Sequence, residues 1–221
     1  MVLVIDLVVM EIITVDSAGD YGEAIGAAIS VLSRGGVIVY PTDTLYGLGA
    51  NAMNYDAVRR IFDIKERDLS KPLPILIKNM IWAKGLAYIS PKQERILEKI
   101  WPGKVTAILE KRDVVPDIVS AKTKTIGVRI ADHSFTDRLL GKFGYPIIST
   151  SANISGDEPT LKIDDIIQIF SEKRFKPDLI IDAGTLPKSD ASIVIDMTTE
   201  KPKILRVGLS KPDELLKILE I

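Results

Sequence analysis

The stretch Val37-Ile38-Val39-Tyr40-Pro41-Thr42-Asp43-Thr44-Leu45-Tyr46-Gly47-Leu48-Gly49 decides how the rest of the chain is read. Four consecutive apolar or aromatic residues predict a short strand buried on both faces. Pro41 stops it, because proline has no amide proton with which to continue a ladder. The segment from Thr42 to Gly49 then predicts a hydroxyl- and glycine-rich loop directly after a strand end. Threonine hydroxyls and glycine amides there offer donors without bulk, so they can hold a carboxylate or a phosphate; a plain turn is the alternative.

Working outward, Ile25, Ala28, Ile29 and Leu32 recur at helical spacing and predict a helix over 20–34, stopped by Gly35-Gly36. Asn54 predicts the N-cap of a helix whose Ala57, Val58, Ile61 and Phe62 form one face. Leu73–Ile77 is a short apolar strand. Ser90-Pro91-Lys92-Gln93 is a capping-box start, with Ile96, Leu97 and Ile100 as the buried stripe and Trp101-Pro102-Gly103 as the stop. Further strands are predicted over 105–109, 125–130, 146–149, 179–181, 192–195 and 204–207, with helices over 134–143, 161–171 and 211–220, the last capped at Ser210 with Pro212 and Asp213. Strands interspersed with helices predict an α/β (α+β) fold: a single layered domain with a twisted, mixed open β-sheet flanked by helices. The neighbours 192–195 and 204–207 read as a hairpin, which argues against a purely parallel sheet.

Composition removes much of the catalytic menu. The 221 residues carry 29 Lys+Arg against 30 Asp+Glu, a net charge of −1, with no Cys and one His. Without Cys, and with only His133 as imidazole, a closed zinc site, a thiol nucleophile, Cys-x-x-Cys redox chemistry and disulfides all drop out. A Ser-His-Asp relay would have to run through His133. Chemistry falls to carboxylates, amines, guanidiniums, hydroxyls, backbone amides or a hard metal, and a reducing cytoplasm fits. The apolar run Met1–Met10 is interrupted by Asp6 and falls far short of the roughly 18 residues of a membrane span. Residues 1–10 therefore read as an N-terminal extension or edge strand ahead of a domain over 11–221, with Met1 and Met10 both candidate starts.

Three more clusters stand where chemistry could sit. Lys65-Glu66-Arg67 followed by Lys71-Pro72-Leu73 places three cations within seven residues at a helix exit. They suit a polyphosphate clamp, or they complement the helix C-terminus and lie solvated. In Thr125-Ile126-Gly127-Val128-Arg129, period two puts Thr125, Gly127 and Arg129 on one face. An arginine between Val128 and Ile130 needs an anion, which a structural ion pair or a ligand carboxylate supplies equally well. Ser149-Thr150-Ser151-Ala152-Asn153 crowds small polar side chains at a strand end, a donor-rich patch or a helix-capping turn.

Taken together, Gly35-Gly36 through Pro41-Thr42-Asp43-Thr44-Leu45-Tyr46-Gly47-Leu48, Lys65-x-Arg67 with Lys71-Pro72-Leu73, Trp101-Pro102-Gly103, Val128-Arg129 and Ser151-x-Asn153 resemble the YrdC family of threonylcarbamoyl-AMP synthases, from about Glu11 to Arg206. The resemblance implies a YrdC-like fold and a nucleotidyltransferase (L-threonylcarbamoyladenylate synthase). That reaction turns L-threonine, bicarbonate and ATP into threonylcarbamoyl-AMP and pyrophosphate, the donor for threonylcarbamoyladenosine in tRNA. It implies a threonine pocket of Thr44, Leu76, Arg129, Ser149 and Ser192. It implies an ATP site of Lys65, Arg67, Lys71, Thr125, Ser151, Asn153, Glu158 and Arg206, with Lys65 and Arg67 catalytic. Mg²⁺ would arrive with the ATP, and the partners would be a downstream tRNA threonylcarbamoyl transferase and, in direct contact or not, RNA; nothing in it calls for a membrane. Asp43 stands where many relatives have Glu, Asp68 where Pro often follows, and Val207 interrupts an Arg-Pro-Gly pattern. Longer relatives carry an additional C-terminal domain, whereas this chain ends after the helix at 211–220.

Two rivals remain. A non-catalytic module for double-stranded RNA or tRNA would use Lys99, Lys104, Lys111, Arg112, Lys122 and Lys124, although Glu98, Glu110 and Asp113 interleave with them. A carbamoyl-adenylate-forming domain like that of hydrogenase-maturation carbamoyltransferases would belong to a much larger, Cys-rich chain.

Overall fold

A computed structural model describes residues 10–16, 21–189, 191–207 and 213–219. The Met1–Met10 run, but for its last residue, and the Ser210 cap lie outside the described residues. Along the chain the elements are β1 (Glu11–Thr14), α1 (Gly22–Ser33), β2 (Val37–Tyr40), β3 (Gly47–Ala50), α2 (Tyr55–Lys65), β4 (Ile75–Leu76), α3 (Met80–Leu86), β5 (Ala87–Tyr88), α4 (Pro91–Ile100) and β6 (Val105–Lys111). They continue as α5 (Asp117–Ser120), β7 (Thr125–Arg129), α6 (Ser134–Phe143), β8 (Ile147–Ile148), β9 (Thr150–Ser151), α7 (Ile163–Ser171), β10 (Leu179–Asp182), β11 (Ile193–Asp196), β12 (Lys203–Arg206) and α8 (Asp213–Leu219).

The quoted stretch does organise the molecule. All four residues of β2 are fully buried, and they alternate between two apolar clusters, Val37 and Val39 entering one and Ile38 and Tyr40 the other. One cluster is roofed by α1 and α6, where Tyr21 meets Phe135 edge to face at 5.4 Å. The other takes the apolar face of α2, Ala57, Val58, Ile61 and Phe62. Local caps are where the sequence places them. Asn54 accepts the Ala57 amide at 3.1 Å, and Ser90 and Gln93 form a reciprocal box. Gly35 takes φ +79° as α1 ends, a left-handed turn that glycine adopts without strain. The Trp101–Pro102 peptide is cis.

The strands divide into two hydrogen-bonded mixed sheets where the sequence suggested one. The first runs β1-β10-β2-β3-β9, parallel through β2 and antiparallel beyond it. The second runs β12-β11-β6-β7-β4-β8, with β5 flanking β6. The expected hairpin is present as antiparallel β11 and β12. Gly47–Ala50, whose first three residues are expected as loop, is a strand because it pairs with β2 in the register Val39 to Leu48 and Tyr40 to Gly47. Likewise Thr150–Ser151, which could have been a capping turn, pairs with Gly47-Leu48. Helix α7 begins at Ile163, two residues after the expected 161, and the short α3, β5 and α5 carry no pattern that periodicity detects.

Candidate functional site

Strands β8 and β9 are separated only by Ser149, yet they belong to different sheets. Ile147 and Ile148 pair with β4, whereas Thr150 and Ser151 pair with β3. The chain therefore crosses the seam at Ser149, and a cavity of about 590 Å³ opens there. Its walls come from the Thr42–Gly47 segment, the ends of β7 and β9, the 153–159 loop and the β11–β12 hairpin. Segments scattered from Thr42 to Arg206 along the sequence thus face one space.

Thr44, Ser149 and Arg129 line one part of this space. Thr42 Oγ1 accepts the amides of Thr44 and Leu45 at 3.1 and 3.3 Å, a hydroxyl-stapled turn that fixes the Thr44 side chain. Arg129 donates from Nη2 to Asp43 Oδ1 at 2.6 Å, from Nε to the Gly103 carbonyl at 2.9 Å and from Nη1 to Thr44 Oγ1 at 3.3 Å. The Arg129–Asp43 pair is nearly buried, with side chains 8% and 9% exposed. Of the two anions that the sequence allowed for Arg129, the structural ion pair is therefore present, and Arg129 still lines the cavity. Burial pushes the guanidinium down from its usual value, and Asp43 opposes that shift.

Arg67 and Arg206 line the same cavity. Arg67 is tied by Nη2 to the Pro72 carbonyl at 3.0 Å, and Arg206 by Nη2 to the Ser192 carbonyl and hydroxyl at 2.6 and 3.0 Å. Burial lowers both guanidiniums, and among the described residues neither has a carboxylate partner. Two guanidiniums without a carboxylate partner among the described residues thus face the space, with Asp157 and Glu158 also on its wall. Ser151, Asn153 and Glu158 also line it, and Ser192 links it to a second cavity of about 230 Å³ that holds Thr125, the two sharing Pro74, Ser192 and Arg206. The face predicted for β7 is real: Thr125 and Gly127 line the second cavity and Arg129 the first.

Three of the expected site residues line neither cavity. Leu76 is buried on β4 in the cluster under α1 and α6. Lys71 is exposed. Lys65 is 2% exposed, and its Nζ donates to the Ser151 and Asn153 carbonyls and to Asn153 Oδ1 at 2.6, 2.7 and 3.1 Å. Burial, with the like charge of Arg67 second, lowers this amine to about 7.

The family model named Sua5_yciO_yrdC, described as "Telomere recombination", matches residues 30–208. The chain belongs to the Sua5/YciO/YrdC family. Within it, a Vibrio parahaemolyticus protein named threonylcarbamoyl-AMP synthase is 32% identical over 173 residues, covering 71% of this chain and 92% of its own length. A Pyrococcus abyssi protein of the same name is 35% identical over 193 residues, covering 87% of this chain. The chain spans 56% of the length of that relative. The solved Pyrococcus abyssi Sua5 complexed with L-threonine superposes with a TM-score of 0.86 at 34% identity, over 94% of this chain and 60% of its own.

Within the Sua5/YciO/YrdC frame, Asp43 is the residue that sequence reading missed. It stood in the quoted loop, but nothing local shows that it faces Arg129, 86 positions away. Tyr46 and Asp157 also line the cavity unforeseen. Tyr46 is pinned by its hydroxyl, which donates to the Gly184 carbonyl at 2.8 Å and accepts the Ala183 amide at 3.0 Å. No group of three His, Cys, Asp or Glu residues that could hold a metal occurs among the described residues, and no helix among them is long and apolar enough to cross a membrane.

Proposed function

We propose that this member of the family is an L-threonylcarbamoyladenylate synthase, joining L-threonine, bicarbonate and ATP into threonylcarbamoyl-AMP with release of pyrophosphate and water. The observation that carries the reading is one cavity that presents a guanidinium paired with a carboxylate and two guanidiniums that have none among the described residues, and we divide the cavity between a carboxylate ligand and the phosphates on that difference. Arg129, already braced by Asp43 and set beside Thr44 and Ser149, suits an amino-acid carboxylate. Arg67 and Arg206, without carboxylate partners among the described residues, suit the more highly charged phosphates. The relative solved with L-threonine supports the first half.

Threonine's amine takes up carbon dioxide or bicarbonate to give a carbamate, and a carbamate oxygen then attacks the α-phosphorus as pyrophosphate leaves. The nucleophile is already an anion, so it needs placement and charge screening more than a dedicated base, which suits a site with no Cys and no cavity-lining His. Mg²⁺ enters as MgATP: an ion held mainly by phosphates and waters asks for no protein cage, and Asp157 and Glu158 are the carboxylates that line the wall. The product is a labile mixed anhydride, so a tRNA threonylcarbamoyl transferase in the cytoplasm would have to take it promptly. Residues of the rival RNA-binding face are engaged elsewhere: Lys111 pairs with Asp117 at 3.2 Å, and Arg112 donates to the Lys84 carbonyl while lying over the Tyr88 ring.

Purified protein supplied with Mg²⁺, ATP, bicarbonate and L-threonine should form threonylcarbamoyl-AMP and pyrophosphate, read by mass spectrometry; no product would sink the reading. Arg129→Ala should raise KM for threonine and Arg67→Ala KM for ATP, each by about one to two orders of magnitude, the worth of a charge-assisted contact of roughly 1.5–3 kcal/mol. Equal losses for both ligands in both variants would refute the division of the cavity.

A further inference from the structure

Lys65 and Arg67 sit two residues apart yet point to different places. Helix α2 ends at Glu66, whose φ of 51° is left-handed, and the Arg67 amide turns back to the Phe62 carbonyl at 2.9 Å. This reversal sends Arg67 into the cavity and leaves Lys65, on the last turn of the helix, beneath the cavity wall.

An ammonium has three N–H donors. At Lys65 all three have acceptors: the Ser151 carbonyl at 2.6 Å, the Asn153 carbonyl at 2.7 Å and Asn153 Oδ1 at 3.1 Å. With 2% of the residue exposed, no donor is left over for a ligand. The network continues outward. Asn153 Oδ1 also accepts the Ser151 hydroxyl at 2.6 Å, and Asn153 Nδ2 donates to the Asp157 carbonyl at 2.6 Å. The Lys65 carbonyl in turn accepts the Ser155 amide at 2.8 Å. Two carbonyls and an amide oxygen converge on one buried point, an arrangement that needs a hydrogen-bond donor at its centre.

We propose that Lys65 is a positioning residue, its side-chain nitrogen shaping the Ser151–Asp157 wall of the cavity from behind without touching the phosphates of the nucleotide. Ser151 and Asn153 spend their side chains on the same brace, so the phosphate charge falls to Arg67 and Arg206. This rests on the nucleotide reading of the cavity given above.

The test compares AMP with ATP. AMP lacks the β- and γ-phosphates, so losing a wall common to both nucleotides should weaken both alike, whereas losing a clamp on the outer phosphates should weaken ATP alone. Calorimetry on Lys65→Met is expected to show parallel losses on the order of tenfold or more, with faster amide exchange across residues 151–157 in the absence of ligand. Lys65→Arg should fail to restore binding, because a planar fork cannot meet the same three acceptors in a closed slot, although it would serve a phosphate well. The chain has no Cys, so Lys65→Cys, aminoethylated while unfolded and then refolded, rebuilds a lysine-like ammonium at this position alone and should recover most of the affinity. Loss confined to ATP, or near-wild-type ATP binding by Lys65→Arg, overturns the proposal. Should Lys65→Met not fold, Asn153→Ala, which removes one acceptor and keeps the lysine, must show the same parallel loss and the same faster exchange. Wild-type protein that binds neither nucleotide would sink the functional reading, and the exchange measurement would still decide for or against the brace.

Discussion

Replacing Asp43 by asparagine removes the charge that neutralises Arg129 and keeps the shape of the side chain. The pair is nearly closed to solvent, so water cannot take over the lost interaction. Arg129 would keep its bonds to the Gly103 carbonyl and Thr44 Oγ1 and lose a 2.6 Å charge-assisted bond to a carboxylate. The lost bond alone is worth about 1.5–3 kcal/mol, and stripping a buried ion of its only counter-charge about 3–5 kcal/mol. Two surviving acceptors place the expected cost between these ranges, near 3 kcal/mol. For a chain of this size that corresponds to a Tm lower by roughly 6–12 °C, at about 2–4 °C per kcal/mol. The assay is urea unfolding of wild type and Asp43→Asn with the m-value checked for constancy, then repeated with saturating L-threonine. If a ligand carboxylate reaches Arg129, it supplies the missing counter-charge, so threonine should raise the midpoint of the variant by more than it raises that of the wild type. A cost below about 0.5 kcal/mol, the scale of an exposed pair, would refute the buried-pair reasoning. A threonine shift no larger than in wild type would refute the placement of the carboxylate.

Two further outcomes follow from packing and from charge. Gly49→Ala would set its Cβ 2.6 Å from Tyr40 Cε1, 2.9 Å from Ile147 Cγ2 and 3.1 Å from the Ile148 carbonyl, just where the two sheets meet; a loss of about 1–3 kcal/mol in urea unfolding is expected, and a neutral result would show that the seam gives way easily. Burial holds Lys65 at about 7, below its ordinary 10.5, so between those values the unfolded chain carries a proton that the folded one lacks. Stability from this group therefore rises with pH across that window, by up to about 1.4 kcal/mol per unit, and wild type measured against Lys65→Met should show the difference in slope; parallel pH profiles would contradict it.

Much of the scaffold was legible because its signals are local. A cap acts within four residues, as at Asn54 and Ser90, and a strand buried on both faces announces itself by an unbroken apolar run, as in β2. The helix over 134–143 is observed with those bounds. What escaped was short or depended on a distant partner. Gly47–Ala50 has no strand composition, and it is a strand only because β2 and β9 lie on either side of it. The cavity itself was half legible: Thr44, Arg67, Arg129, Ser149, Ser151, Asn153, Glu158, Ser192 and Arg206 do face one space, whereas Thr125 lines only the adjoining cavity and Leu76, Lys71 and Lys65 line neither.

By itself the sequence determined the chemistry available here. With no Cys and one His, anion recognition had to fall to guanidiniums, hydroxyls and amides, and ordered motifs over most of the chain pointed to one family. Only the tertiary structure decided which cations face the cavity. Spacing reports periodicity along one element, and it is silent on the order of strands in two sheets, on the crossing at Ser149 and on the left-handed turn at Glu66. Those three features set Asp43 against Arg129, turn Lys65 inward beneath the wall and leave Arg67 and Arg206 facing the cavity.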